Sequence, residues 1–320
     1  MEEMIHLLYE KEIEVYFDPA RYIRGRGGKH KNKFISLVER ANGIGRREGA
    51  STAKNLQYYK DEPIITLYTF VTLDRIFQSV SGKDIWSNIF CKAFRDEETQ
   101  GEVNALLGNS CKLTLETPLP TPKEIKDRII QWVDSNPHPI KYIRDEFVKS
   151  QGKSRVEDET MADATLIFEV DNPNASKARA MVCFECKFMS DISSATKYHY
   201  ARNQIARDVD LGRLLYPDRF YFILVTPSTF MDGGSRFYSY KMRDYQGENV
   251  QTLKRDLLFG DDLPDEEIAK LSRRIGWISW EDLVGIIFKY EETVGDLPFE
   301  ELRKFYTERC LFKGSSQGST

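Results

Sequence analysis

The residues best suited to chemistry lie in the segment MVCFECKF, residues 181–188. Two charged residues, Glu185 and Lys187, interrupt an apolar run that is typical of a buried β-strand. Because side chains alternate along a strand, these two residues share one face. Burying a carboxylate and an ammonium is unfavourable unless they pair with each other or bind a metal. We therefore expect a functional site at this strand.

A second carboxylate, Asp163, opens the preceding predicted strand, ATLIFEV, and a polar segment at 171–180 follows it. If the two strands pair as a hairpin, Asp163 lies close to Glu185. Two neighbouring carboxylates repel each other and favour a hard divalent cation with oxygen ligands. A lysine beside that cation, here Lys187, can orient or help deprotonate the attacking water and can stabilise transition-state charge.

The elements that must position these residues follow a mixed pattern. After the hairpin we expect a long helix at 195–215, then a buried central strand in the nearly all-apolar RFYFILVT. In the later segment WISWEDL a strand should enter a helix, with Ser279 as N-cap. Strand, strand, helix, strand, strand and helix together predict an α/β (α+β) fold, a mixed central sheet flanked by helices.

The first part of the chain is expected to be mixed and largely helical, with helices at 33–40, 64–79 and 84–94. The Pro-rich TPLPTP, residues 117–122, is interpreted as a break, either a linker or a turn. Helices at 123–135 and 140–150 come next. We therefore divide the chain into three parts: a DNA-contacting N-terminal region at 1–122, a catalytic core at 123–313, and a disordered tail at 314–320.

Asp163 followed by Glu185-Cys186-Lys187 and then a helix resembles the core of the PD-(D/E)xK nuclease superfamily, over about residues 140–230 and plausibly as far as WISWEDL. Ala162 stands where the motif has proline. The resemblance implies a restriction-endonuclease-like fold. It also implies metal binding by Asp163, Glu185 and the Cys186 carbonyl, and action of Lys187 on water. Many members carry a glutamine on the following helix, here Gln204, and a glutamate on a helix before the sheet. Candidates for that glutamate are Glu102 and Glu146.

The resemblance implies a Mg²⁺-dependent endonuclease, with Mn²⁺ substituting, that hydrolyses DNA, preferably double-stranded, and works as a homodimer. Two alternatives stay open: a nuclease acting on RNA or single-stranded DNA in defence or repair, and an inactive nucleic-acid-binding protein of the same fold. A basic segment either contacts the phosphate backbone or is a solvated loop. Its charged residues are Arg21, Arg24, Arg26, Lys29, Lys31 and Lys33.

The alternative interpretation of Asp163, Glu185 and Lys187 is a salt-bridge cluster with a structural role only, because the Glu-x-Lys motif is common. The chain has another example at Glu124 and Lys126, on a predicted amphipathic helix where such a pair needs no special explanation. The strand setting is what distinguishes Glu185 and Lys187.

Composition sets broader limits. The 320 residues are 41% hydrophobic and 30% charged, which is ordinary for a globular protein, and the net charge of −4 disfavours a dedicated nucleic-acid coat protein. No apolar run approaches the roughly 18 residues of a membrane span. Five scattered cysteines predict a reducing, cytoplasmic location. Cys183 and Cys186 should point to opposite faces of their strand, so we expect core cysteines and no shared metal.

Overall fold

The fold is described from a computed structural model of the chain. The structure describes residues 14–16, 62–79, 82–150, 159–170, 178–196, 199, 202–217, 219–247 and 250–312. Within these ranges the strands are β1 (Ser110–Pro120), β2 (Glu159–Val170), β3 (Ala178–Cys186), β4 (Phe220–Thr226) and β5 (Ile275–Ser279). The helices are α1 (Glu62–Gln78), α2 (Ile85–Ala93), α3 (Glu97–Ala105), α4 (Lys123–Ser135), α5 (Lys141–Ser150), α6 (Gln204–Leu215), α7 (Ser228–Asp232), α8 (Phe237–Tyr245), α9 (Gln251–Asp256), α10 (Asp265–Arg273), α11 (Trp280–Phe288) and α12 (Phe299–Glu308).

The strands of the described chain form one sheet in the order β1-β2-β3-β4-β5. The pairs β1–β2 and β2–β3 are antiparallel, whereas β3–β4 and β4–β5 are parallel. The parallel pairs need crossovers, and α6 supplies the first of these between β3 and β4. The predicted mixed sheet flanked by helices is confirmed.

The predicted hairpin is present as β2 and β3, with Ala164 opposite Phe184. The next pair toward the strand ends therefore brings Asp163 beside Glu185. β4 is buried along its whole length, as its apolar sequence predicts. Ser279 is the N-cap of α11, where its side chain accepts a hydrogen bond from the amide of Asp282. This cap fixes the turn from β5 into the helix.

Two helical layers cover the sheet. On one face, α1, α2, α11 and α12 pack in a core cluster that includes Val182, Phe184 and Cys186 of β3. On the other face, α6, α8 and α10 pack against Met181 and Cys183 of the same strand. The outer side of α6 is covered in turn by apolar residues of α4 and α5. β3 is therefore enclosed on both faces, and its carboxyl end is surrounded by helix starts and loops.

Two expectations are corrected. The segment at 117–122 is not a linker, because β1 runs through Pro118 to Pro120 and only residues 121 and 122 connect it to α4. β1 is at the edge of the sheet, where a proline that cannot donate a hydrogen bond is tolerated. The helix expected over 195–215 begins only at Gln204, because Asn203 caps it by accepting a hydrogen bond from the amide of Ala206.

The N-terminal region contributes to the same core as the sheet. The rings of Phe70 in α1 and Phe184 in β3 lie 4.9 Å apart, although the predicted boundary at 122 separates them. The helices expected at 64–79 and 84–94 are present as α1 and α2. The predicted helix at 33–40 and the predicted tail at 314–320 lie outside the described residues. No helix of the described chain has the length and apolarity required to cross a membrane.

Gly212 offers a test of how α6 packs on the sheet. A Cβ at this position would lie 2.0 Å from Cε2 of the Phe220 ring, which is buried in β4. We expect Gly212→Ala to lower the free energy of unfolding by about 1–3 kcal/mol through overpacking, measured by chemical denaturation. Gly101→Ala is the matched control, because Gly101 lies in α3 with no atom near its added Cβ. The control should be about 0.5–1 kcal/mol more stable than wild type. Equal effects of the two substitutions would contradict this packing.

Candidate active site

The centre of the site is the carboxyl end of β3. Glu185 is 1% exposed and Lys187 is 8% exposed, and the Lys187 ammonium donates a hydrogen bond to Oε1 of Glu185. The backbone around this pair is held on two sides. The Lys187 amide donates to the carbonyl of Val225 at 2.8 Å, and the indole of Trp280 donates to the Lys187 carbonyl at 2.9 Å. Both side chains of the Glu-x-Lys motif therefore have fixed positions.

Asp163 reaches the same point from β2. Its Oδ2 accepts a hydrogen bond from the amide of Cys186 at 2.8 Å. This contact confirms the expected proximity of the hairpin residues, because Cys186 stands between Glu185 and Lys187. The Cys186 carbonyl, which the resemblance implies as a metal ligand, lies 3.3 Å from the Lys187 ammonium.

Gln204, the first residue of α6, joins this set. Its amide nitrogen donates a hydrogen bond to Oε1 of Glu185, and its amide oxygen accepts one from the Ser193 amide at 3.2 Å. The backbone amide of Gln204 also donates to the Ser193 carbonyl at 2.8 Å. Both ends of the side-chain amide are thus engaged, so Gln204 holds the Glu185 carboxylate in one orientation. The sequence-based placement of Gln204 near Lys187 agrees with this geometry.

Sequence reasoning missed one glutamate that reaches the site, Glu62 at the start of α1. Its Oε1 lies 3.8 Å from the Lys187 ammonium. Its Oε2 accepts hydrogen bonds from the amide of Phe188 at 2.8 Å and the hydroxyl of Ser190 at 2.5 Å. Glu62 lies 126 positions before Phe188, so no local spacing indicates the contact. The available signal is an acidic residue in the first turn of an apolar helix.

The two candidate glutamates named from the sequence lie on other helices, Glu102 on α3 and Glu146 on α5. Glu102 binds the guanidinium of Arg274 at 2.7 Å and the hydroxyl of Tyr221 at 3.1 Å. Glu146 lies on α5, which follows β1 and so does not precede the sheet. The basic segment between Arg21 and Lys33 lies outside the described residues.

A fourth carboxylate, Asp208, also acts electrostatically on the site and was missed from the sequence. It lies on α6 and is 2% exposed. Burial is the main cause that raises the pKa of Glu185, and the charge of Asp208 raises it further. Burial likewise raises the pKa of Asp208 to about 6, against the lowering effect of Arg207 and Lys187. The signal in the sequence was its spacing of four positions from Gln204, which puts both on one helix face.

The electrostatics of the cluster are dominated by burial and mutual repulsion. Burial raises the pKa of Asp163 well above its usual range, and the charge of Glu185 raises it further. Burial raises the pKa of Glu185 to about 7, against the lowering effect of Lys187. Burial acts to lower the pKa of Lys187, but Glu185, Asp163 and Glu62 outweigh it and raise that pKa. One ammonium faces several carboxyls, so negative charge would be in excess if all of them were ionised.

This donor set fits a hard divalent cation. Oε2 of Glu185 is buried and has no hydrogen-bond partner among the described residues. Carboxylate oxygens of Asp163 and Glu185 with the Cys186 carbonyl match the oxygen ligands that Mg²⁺ prefers, since Mg²⁺ commonly takes one or two protein carboxylates and keeps several waters. Within the described chain no three His, Cys, Asp or Glu side chains converge to hold a metal by themselves.

The two cysteines of β3 are core residues, as expected. Cys183 packs in the cluster beneath α6, and Cys186 packs in the cluster on the opposite face of the sheet. They point to opposite sides and do not share a ligand position.

Comparison with known proteins returned nothing: no family model, curated protein or solved structure matches this chain.

Asp163→Asn tests whether the cluster carries unbalanced negative charge. The asparagine oxygen can still accept from the Cys186 amide, while the charge that repels Glu185 is gone. Because folding raises the pKa of Asp163, its charge destabilises the fold increasingly as pH rises above the unfolded value near 4. Without divalent cations we expect the variant to melt above wild type at pH 8, by about 1–2 °C per kcal/mol of repulsion relieved. The difference should shrink near pH 5.

The measurement is thermal denaturation of both proteins at the two pH values, with chelator present. A lower melting temperature for Asp163→Asn at pH 8 would mean that the protein stabilises this charge without a cation.

Proposed function

We propose that the chain is a Mg²⁺-dependent nuclease of the PD-(D/E)xK type with a restriction-endonuclease-like core. The observation that carries the proposal is the convergence of acidic side chains on one buried lysine. Asp163 comes from β2, Glu185 and Lys187 from β3, and Glu62 from a helix before the sheet. Gln204 comes from the helix after β3. The order antiparallel, antiparallel, parallel in the sheet supports the same assignment.

Charge balance supports a catalytic site over a structural salt-bridge cluster. A buried pair is stable when each charge is matched and hydrogen-bonded. Here Glu62, Asp163 and Glu185 face a single ammonium, and one oxygen of Glu185 has no hydrogen-bond partner among the described residues. A metal cation from solution would offset the negative charge of these carboxylates.

Each residue then has a role. Asp163, Glu185 and the Cys186 carbonyl would hold Mg²⁺, which when bound supplies Lewis-acid polarisation of the phosphate and lowers the pKa of water. Lys187 carries a positive charge beside these ligands, where it can orient the attacking water and stabilise charge that develops on the phosphoryl oxygens.

Two further residues keep this arrangement in place. Gln204 fixes the orientation of the Glu185 carboxylate. Glu62 holds the chain after β3 through the Phe188 amide and keeps a second carboxylate near the Lys187 ammonium. Both act through their neighbours and so are positioning residues.

The proposed reaction can be tested by Mg²⁺-dependent cleavage of plasmid DNA. We expect Lys187→Ala to reduce the cleavage rate by at least about 100-fold, because an electrostatic contact to the transition state is lost. Glu62→Gln should reduce it by about 10-fold or more, as do changes to residues that orient a metal site. Lys126→Ala is the matched control, since it removes the lysine of the Glu-x-Lys on α4, and should cleave like wild type.

Equal activity of wild type and Lys187→Ala would overturn the assignment, as would activity in the presence of chelator. Protein integrity is followed by circular dichroism in each case.

Double-stranded DNA is the proposed substrate, and the proposed active species is a homodimer that cuts both strands. The same assay with matched double-stranded DNA, single-stranded DNA and RNA tests this choice. We expect the highest rate on double-stranded DNA, with linear product from a circular plasmid. A preference for RNA or single strands would favour a defence or repair nuclease. Nucleic-acid binding without cleavage or metal binding would favour an inactive protein of this fold.

A further inference from the structure

Asp208 lies one helical turn after Gln204 on α6. Residues four apart share a helix face, so Asp208 is presented on the same side as Gln204. Because the Gln204 side chain is bonded to Glu185, that side of α6 is held against the site. Asp208 therefore belongs to the surroundings of the catalytic carboxylates, although it lies outside the motif.

The surroundings of Asp208 leave one of its oxygens unsatisfied. Its Oδ1 lies 3.5 Å from the hydroxyl of Thr160 and 3.6 Å from Nε of Arg207. Its Oδ2 is buried and has no hydrogen-bond partner among the described residues. A buried carboxylate oxygen without a hydrogen bond has lost its hydration at a cost that nothing offsets. This cost indicates that Oδ2 of Asp208 has a hydrogen-bond donor other than the described side chains, such as a water molecule.

The same region holds a second oxygen of this kind, Oε2 of Glu185. The two carboxyls act on each other electrostatically, since the charge of Asp208 raises the pKa of Glu185. Asp163 acts on Asp208 in the same direction, after burial as the main cause. Two unsatisfied oxygens in one buried cluster are consistent with a single hydrated cation that serves both.

We propose that Asp208 is a positioning residue whose Oδ2 accepts a hydrogen bond from water on the Mg²⁺ held by Asp163 and Glu185. The inference rests on the proposed function. Mg²⁺ loses its waters reluctantly and usually keeps several, so a buried carboxylate near the ligands is a natural acceptor for them. Partners of this outer kind commonly change metal affinity or activity 10–100-fold when removed.

A purely structural role for Asp208 is the competing interpretation, and Asp210 shows what such a role looks like. Asp210 lies on the same helix and is fully buried. Arg202 and Arg213 approach it at 3.5 Å each, and the Leu258 amide donates to it at 2.8 Å. Asp210 also has a buried oxygen, Oδ1, without a hydrogen bond, but two arginines stand beside it. Asp208 has one arginine, Arg207, at 3.6 Å and interacts electrostatically with the carboxyls of Asp163 and Glu185.

The experiment titrates Mg²⁺ and Mn²⁺ into the full chain by calorimetry, without nucleic acid, for wild type and three variants. Asp208→Asn should raise the metal dissociation constant about 10–100-fold. Asp210→Asn, the matched control, should leave that constant unchanged even if it lowers the melting temperature. Glu185→Gln, which alters a proposed ligand, should abolish binding. Asp208→Ser, whose smaller side chain leaves room for a water, replaces the asparagine variant if that variant does not fold.

The outcomes separate the two proposals. Wild-type affinity in the Asp208 variant, together with loss of binding in Glu185→Gln, would overturn the role of Asp208 and leave the proposed function intact. Equal weakening by the Asp208 and Asp210 substitutions would also overturn it, because general destabilisation would then explain both. Absence of metal binding in wild type would overturn the proposed function and the role of Asp208 with it.

Discussion

The structure is organised around a buried imbalance of charge at the end of β3. Glu185 is almost fully enclosed, and its neutralising partner Lys187 is shared with other carboxylates. Such a cluster forms only where the fold supplies hydrogen bonds from several directions. Glu62 from α1 and Gln204 from α6 each provide such contacts. The layers on both faces of the sheet are therefore connected to the site as well as to the core.

Much of the sheet was predictable because the burial of its strands is reflected in their sequence patterns. β4 is buried throughout and is apolar throughout, and the polar segment between β2 and β3 marks a hairpin. β1 was not predictable in the same way, since Pro118 and Pro120 normally signal a break. Its position at the edge of the sheet removes the penalty, and edge position is a tertiary property that local sequence does not encode.

The candidate site was predictable to the extent that it is local. Glu185 and Lys187 are two residues apart, and a single hairpin links them to Asp163. Glu62 and Asp208 were missed for different reasons. Glu62 reaches the site only through the packing of α1 against the sheet, which depends on contacts distant in sequence. Asp208 lies on a helix rich in buried charge, where its spacing from Gln204 is meaningful only once that glutamine is known to face the site.

The number of cations beside a buried carboxylate separates a structural from a functional role better than the extent of its burial does. On α6, Asp210 is enclosed as completely as any residue of the site, yet it has Arg202 and Arg213 beside it. A carboxylate so matched is explained by the fold alone. At the end of β3 the carboxyls of Glu62 and Glu185 share the single ammonium of Lys187, and Asp163 acts on it as well. Under the proposed function, a cation from solution completes this site. The uneven match of anions and cations at the end of β3 is the physical basis for the proposed function.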